Sequence, residues 1–274
     1  MRQDPLGRSG FTLIELIIVI VLLGVLSTVT IGILLQPFQA FQDQSRRASL
    51  VAEADLVLNR MTREIRLALP NSVRTTQANG NQYLEFIPSI GGGRYRAQLD
   101  FSDPESSEGY ILDFSDLDDS FDVLGGVLGD FTVGDYLVVF NASSNLGSSA
   151  NAYRGLNRTR LISGSTPEHL RFNEIRFPSA SIGHNRFDIV PQSGPVTFAC
   201  IGNQLRRYSD YGFQESQPTA FQSGQLMASR ISDCEFSYLP GDHMRNGVVT
   251  LNLSITEGEE SISLLYQVQV VNAP

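Results

Sequence analysis

From Phe11 to Leu35 the chain reads FTLIELIIVIVLLGVLSTVTIGILL, an apolar run whose one ionisable side chain is Glu15. As a helix, the stretch from Leu16 to Leu35 spans about 30 Å, the thickness of a bilayer's hydrocarbon core. A secretory signal peptide would have a shorter apolar region, roughly 7 to 15 residues, with its cleavage site after it. The run is therefore read as a membrane-crossing helix. Ahead of it, MRQDPLGRSG sets Arg2 and Arg8 against Asp4. That positive excess holds the short leader in the cytoplasm and places the bulk of the chain on the other side.

A charge inside an apolar helix costs on the order of 3 kcal/mol at the bilayer centre, so Glu15 needs either an interfacial position or a partner. Cleavage after Gly10 would create an amine at Phe11, one helical turn away. A carboxylate there can pair with such an amine on a neighbouring subunit, neutralising both charges inside a bundle. The segment Gly10-Phe11-Thr12-Leu13-Ile14-Glu15, followed by the apolar run, resembles the class III prepilin signal of type IV pilins and type II secretion pseudopilins. The resemblance implies cleavage between Gly10 and Phe11 by a prepilin peptidase/methyltransferase and N-methylation of the new Phe11 amine. It also implies a role for Glu15 in subunit register, with other pilin subunits and an inner-membrane assembly platform as partners.

Gly24 and Gly32 soften the helix and Pro37 removes a backbone donor beyond the span, which invites local unwinding there. Beyond Pro37, Leu50, Ala54, Leu58, Met61, Ile65 and Leu69 recur at steps of three or four, with Arg and Glu on the other faces. This is an amphipathic helix whose stripe is read as the edge of a domain core, and Pro70 and Asn71 end it. After residue 70 the period becomes two. Strands are predicted at Gln82 to Ile87, Arg94 to Phe101, Tyr110 to Phe114, Tyr136 to Phe140, Leu170 to Phe177 and Arg186 to Val190. Further ones fall at Val196 to Ile201, Leu205 to Tyr208, Cys234 to Leu239, Val248 to Ile255 and Ile262 to Val271. Gly202-Asn203 reads as a hairpin turn and Glu257-Gly258 as the start of another connection. Gly91 to Gly93 and Ala142 to Gly155 read as surface loops.

Cys200 and Cys234 are the chain's two cysteines, without metal or thioredoxin spacing. In an exported chain a disulfide between them is the default, contributing about 3 to 4 kcal/mol by loop closure. The 20 basic residues, all Arg, against 29 acidic ones leave a net charge of −9, which argues against a nucleic-acid partner. No nucleophile elbow, phosphate loop or paired metal ligands appear, so neither enzyme, metal nor cofactor is expected. His169, His184 and His243 are scattered. Asp113, Asp116, Asp118, Asp119 and Asp122 invite calcium, but the run lacks the EF-hand's glycine and distal glutamate and reads as a solvated acidic loop. Asn141, Asn157 and Asn252 fit the glycosylation pattern, which carries no information beside a bacterial signal.

The fold class is thus α+β and pilin-like, with one long N-terminal helix, half transmembrane and half amphipathic, packed on a large antiparallel β-rich domain. Its expected segments are a leader at 1–10, a membrane helix at 11–35, a stalk helix at 36–70 and a periplasmic or extracellular domain at 71–274. The patches FACIGNQLRRYS, CEFSYLPG, Arg245-Asn246-Gly247 and LLYQVQVVNAP, with SRRA and LALPNSVR in the stalk, resemble large minor subunits of this superfamily. The resemblance is greatest to MshO-type subunits of the mannose-sensitive haemagglutinin (MSHA) pilus. J-type pseudopilins and PilW-type minor pilins are close competitors. A minor subunit for pilus biogenesis follows from that likeness; a type II secretion pseudopilin and a membrane-anchored tip adhesin stay open beside it.

Overall fold

A computed structural model describes residues 10–99, 109–144, 147–241 and 245–272, with the side chains at 29 and 31–36 left out. It is an α+β chain. Helix α1 (Leu13–Arg66) opens it. The strands of the first half are β1 (Arg74–Ala78), β2 (Asn81–Phe86), β3 (Gly91–Arg94), β4 (Asp118–Asp122), β5 (Leu128–Gly129), β6 (Tyr136–Val139), β7 (Arg158–Arg160) and β8 (His169–Ile175). Those of the second are β9 (Arg186–Val190), β10 (Val196–Ile201), β11 (Gln204–Tyr208), β12 (Gln225–Ser229), β13 (Ile231–Leu239), β14 (Gly247–Glu257) and β15 (Glu260–Val270). Two compact units divide the chain, one up to Ser49 and one from Leu50.

In the first unit α1 continues through Pro37 without a break. The hydroxyls of Ser27, Thr28 and Thr30 donate to the carbonyls of Leu23, Val25 and Leu26, so these three hydroxyls are satisfied within the helix. From Leu13 to Leu26 its large apolar side chains are all exposed. Among the described residues no helix is long and apolar enough to cross a membrane. The distal part of the run, at 29 and 31–36, lies outside the described side chains.

In the second unit the sheets are antiparallel throughout. Their orders are β1-β2-β10-β11-β12, β13-β14-β15, β5-β3-β9-β6-β7 and the pair β4-β8. Leu50, Ala54, Leu58, Met61 and Ile65 are fully buried and share one core with Phe86, Phe198, Leu205, Phe236, Leu251 and Val268. The helical stripe is thus core. It seals two sheets at once, each large side chain adding about 1.5 to 3 kcal/mol of burial. A second core, rich in Phe121, Phe172, Phe177 and Phe187, lies between the remaining strands.

The helix stops at Arg66, short of Pro70. Leu69 precedes that proline and is pushed toward extended backbone; its N–H bonds the Ile87 carbonyl, and Ala68 bridges Pro88. Gly91 to Gly93, expected as a loop, is strand β3, flanked by β5 and β9. Glycine is needed there because a Cβ on Gly92 would stand 2.6 Å from the Phe187 carbonyl oxygen. Arg94 ends that strand and Tyr95 makes only a bridge to Val123, so the strand predicted to Phe101 does not form over its described residues; 100 and 101 lie outside them. Tyr110 to Phe114 is not a strand either. Two isolated bonds, Leu112 N–H to the Arg96 carbonyl and Asp122 N–H to the Tyr110 carbonyl, hold it in place.

The segment predicted as a surface excursion at Ala142 to Gly155 is partly core: Ala152 and Tyr153 are buried with Leu69 and Ile87. The Asn141 amide donates to the Pro70 carbonyl and the Tyr153 hydroxyl to the Ser72 carbonyl. Such polar anchors carry no hydrophobic period. Gly202, with φ 57°, makes the predicted β10–β11 hairpin turn, and Gly258, with φ 63°, the β14–β15 turn.

Candidate processing and assembly site

Thr12 is the last residue before α1, and its carbonyl accepts from the N–H groups of Glu15 and Leu16 at 3.1 and 3.2 Å. The Glu15 N–H also points to the Thr12 hydroxyl oxygen at 3.4 Å, and that hydroxyl faces the Glu15 carboxylate at 3.5 Å. Thr at the cap and Glu three residues on is the residue pattern of a capping box; here the Thr12 hydroxyl caps the Glu15 N–H, a donor at the helix start, and the Glu15 carboxylate faces that hydroxyl. A carboxylate in the first turn also complements the helix dipole, by about 0.3 to 1 kcal/mol. The sequence carried this signal as Thr-x-x-Glu before an apolar run, and the charge of Glu15 alone drew the expectation instead.

Gly10 is exposed with open space about it, and Phe11 is 80 % exposed. The Gly10–Phe11 bond therefore lies in accessible chain without regular secondary structure, immediately before the cap. Residues 1–9 of the expected leader lie outside the described residues. An apolar surface as long as Leu13 to Leu26 is not one a protein leaves in water.

Cys200 and Cys234 are bonded to each other, with Cα atoms 6.4 Å apart. The bond joins β10 of the five-stranded sheet to β13 of the three-stranded one, as the expected staple would.

The acidic run is split by the fold. Asp118 to Asp122 form β4, pairing with β8 and burying Phe121, so this half is not a solvated loop. Asp113 accepts from the Ser115 N–H and hydroxyl, bonds that hold its carboxyl below the usual range. Asp118 accepts from the Asp113 and Asp119 N–H groups, and Asp122 from Tyr110 N–H, with His169 Nδ1 at 2.8 Å. Among the described residues no three His, Cys, Asp or Glu side chains gather to hold a metal ion. His184 is exposed and His243 lies outside the described residues. Asn141 and Asn157 are buried, their amides donating to the carbonyls of Pro70 and Phe140, so neither offers a glycosylation acceptor.

Residues 6–31 match the family described as the prokaryotic N-terminal methylation motif. With the capped helix start and its exposed apolar face, that motif supports a type IV pilin-like or pseudopilin-like protein, and it implies processing by a prepilin peptidase and assembly with other pilins. The match speaks for this stretch of the 274-residue chain. No curated protein and no solved structure matches the chain.

Proposed function

We propose that the chain is a non-enzymatic minor subunit of a type IV pilus, cut between Gly10 and Phe11, N-methylated at Phe11 and held in the bacterial inner membrane by the Phe11–Leu35 run until it enters a filament. The observation that carries this is the match of residues 6–31 to the methylation motif, coinciding with a helix start whose Glu15 and Phe11 are both exposed. The driving step is packing. The helix leaves lipid for a bundle of similar apolarity, so pairing of Glu15 with a neighbour's Phe11 amine, and shape, decide register more than hydrophobicity does. The large β-rich domain favours a low-copy subunit that primes or caps the filament, and MSHA-type membership is the specific assignment favoured by the patches around Cys200, Cys234 and β15.

Mass spectrometry of the mature chain tests the processing: it should begin at Phe11 and carry a methyl group, and an intact leader would sink the proposal. Glu15→Gln tests the assembly role. It should insert normally yet enter filaments poorly, and wild-type incorporation would remove Glu15 from the mechanism.

A further inference from the structure

β15 is an edge. Along one side it pairs with β14 in unbroken register, from Val270 opposite Gly247 to Glu260 opposite Glu257. Along the other, from Ser261 to Val270, no backbone group has a protein partner among the described residues. At strand rise this row of free N–H and C=O groups is roughly 35 Å long.

A long free edge is a template for another extended backbone, and proteins that keep one free protect it with Lys, Pro, a bulge or a charge. β15 has none of these between Ser261 and Val270, where it reads SISLLYQVQV. Its outward face is Ser261, Ser263, Leu265, Gln267 and Gln269, all exposed and uncharged. Asp233 and Glu235 stand on the opposite edge, β13, and Glu257, Glu259 and Glu260 gather at the β14–β15 turn, outside the Ser261 to Val270 stretch. In a chain of net charge −9 copies repel one another in general. From Ser261 to Val270 this edge carries no Asp, Glu or Arg that would add to that repulsion.

We propose that β15 is a pairing edge and that its occupant is β15 of a second copy, antiparallel and centred on Leu265. In that register Leu265 meets Leu265, Ser263 meets Gln267 and Ser261 meets Gln269, while Leu264 meets Tyr266 and Ile262 meets Val268 on the inner face. Every outward pair is uncharged, and opposed polar or apolar side chains of this kind favour an antiparallel pair where like charges would oppose it. The contact is isologous and closed, and joins the two sheets into one. It goes beyond the function proposed above and holds whether or not α1 enters a bundle.

The test uses the full-length chain in detergent micelles, where the native cysteines are already bonded to each other. Directly opposed Cα atoms in an antiparallel pair are about 4.5 to 5.5 Å apart, within disulfide reach. On oxidation Leu265→Cys should shift from monomer to dimer on a non-reducing gel. Differently tagged Ser263→Cys and Gln267→Cys copies should cross-link to each other and not to themselves. Adding Leu265→Lys to both should abolish that cross-link while circular dichroism shows the fold retained. A Leu265→Cys chain that stays monomeric, one that cross-links no better than Leu156→Cys, or one that is captured by a different protein would each overturn the proposal.

Discussion

The guanidinium of Arg74 is bonded to the fully buried carboxylate of Glu85 directly across the β1–β2 pair, and lies 3.6 Å over the ring of Tyr153. Tyr211 donates to the other Glu85 oxygen at 2.8 Å, and Arg74 also donates to the carbonyls of Gln214 and Glu215. Burial pushes the Glu85 carboxyl above its usual range while Arg74 opposes the shift. One ion pair thereby ties the loop after β11 to the five-stranded sheet.

Removing one partner strands the other charge. Arg74→Met should lower unfolding stability in urea by about 3 to 5 kcal/mol. Adding Glu85→Leu should recover part of that loss, since the pair replaced by apolar groups leaves no buried charge. A double variant less stable than the single one would contradict this account.

Asp188 accepts from the Ser89 hydroxyl at 3.1 Å, and burial pushes its carboxyl up to about 6. The folded value lies above the ordinary 3.8, so the folded state binds the proton more tightly. The resulting stabilisation is full below about pH 4 and is lost as pH rises through about 6. Asp188→Asn keeps an acceptor for Ser89 without the charge. It should be more stable than the parent at pH 7 by about 1 to 2 kcal/mol, less than a full conversion of the shift because the side chain is partly exposed. Near pH 4 the difference should vanish. Urea midpoints at the two pH values read it directly.

At Gly92 there is no room for a methyl group against the Phe187 carbonyl. Gly92→Ala should cost about 1 to 3 kcal/mol, the scale of overpacking, measured as a lower urea midpoint. Gly80→Ala, in open space, should show the smaller strain of its φ of 76° alone.

The Cys200–Cys234 bond closes a loop of sequence separation 34. Replacing both by Ser should lower stability by about 3 to 4 kcal/mol. Denaturation of the parent with and without reductant gives the same comparison, and equal midpoints would mean that the bond adds nothing.

Thr12 and Glu15 separate capping from charge. Thr12→Ala should weaken the first turn by about 1 kcal/mol and speed amide exchange at Glu15 and Leu16, whereas Glu15→Gln retains a side chain fit for that position and should leave exchange nearly unchanged.

The helix stripe from Leu50 to Ile65 and the last three strands were legible because each buries one face and keeps its period. β1, β7 and β12 were not. RTTQA, RTR and QLMAS are short and mostly half-buried or exposed, so no alternation marks them. β3 hid for the opposite reason, since a run of glycines reads as a loop until close backbone neighbours are known. Half of the acidic run became β4 because Phe121 was needed in a core assembled from residues far along the chain. At the N-terminus Phe11 and Glu15 are exposed, and the cap at Thr12 was legible as Thr-x-x-Glu ahead of the apolar run.

The bond between β10 and β13 also governs how the chain responds to pulling. A load applied between α1 and β15 runs through the sulfur atoms and bypasses the intervening chain. With a sequence separation of 34 between the cysteines, roughly 110 Å of contour length is withheld from extension. Under tension the oxidised domain has a short mechanical reach, and reduction would convert that stop into slack.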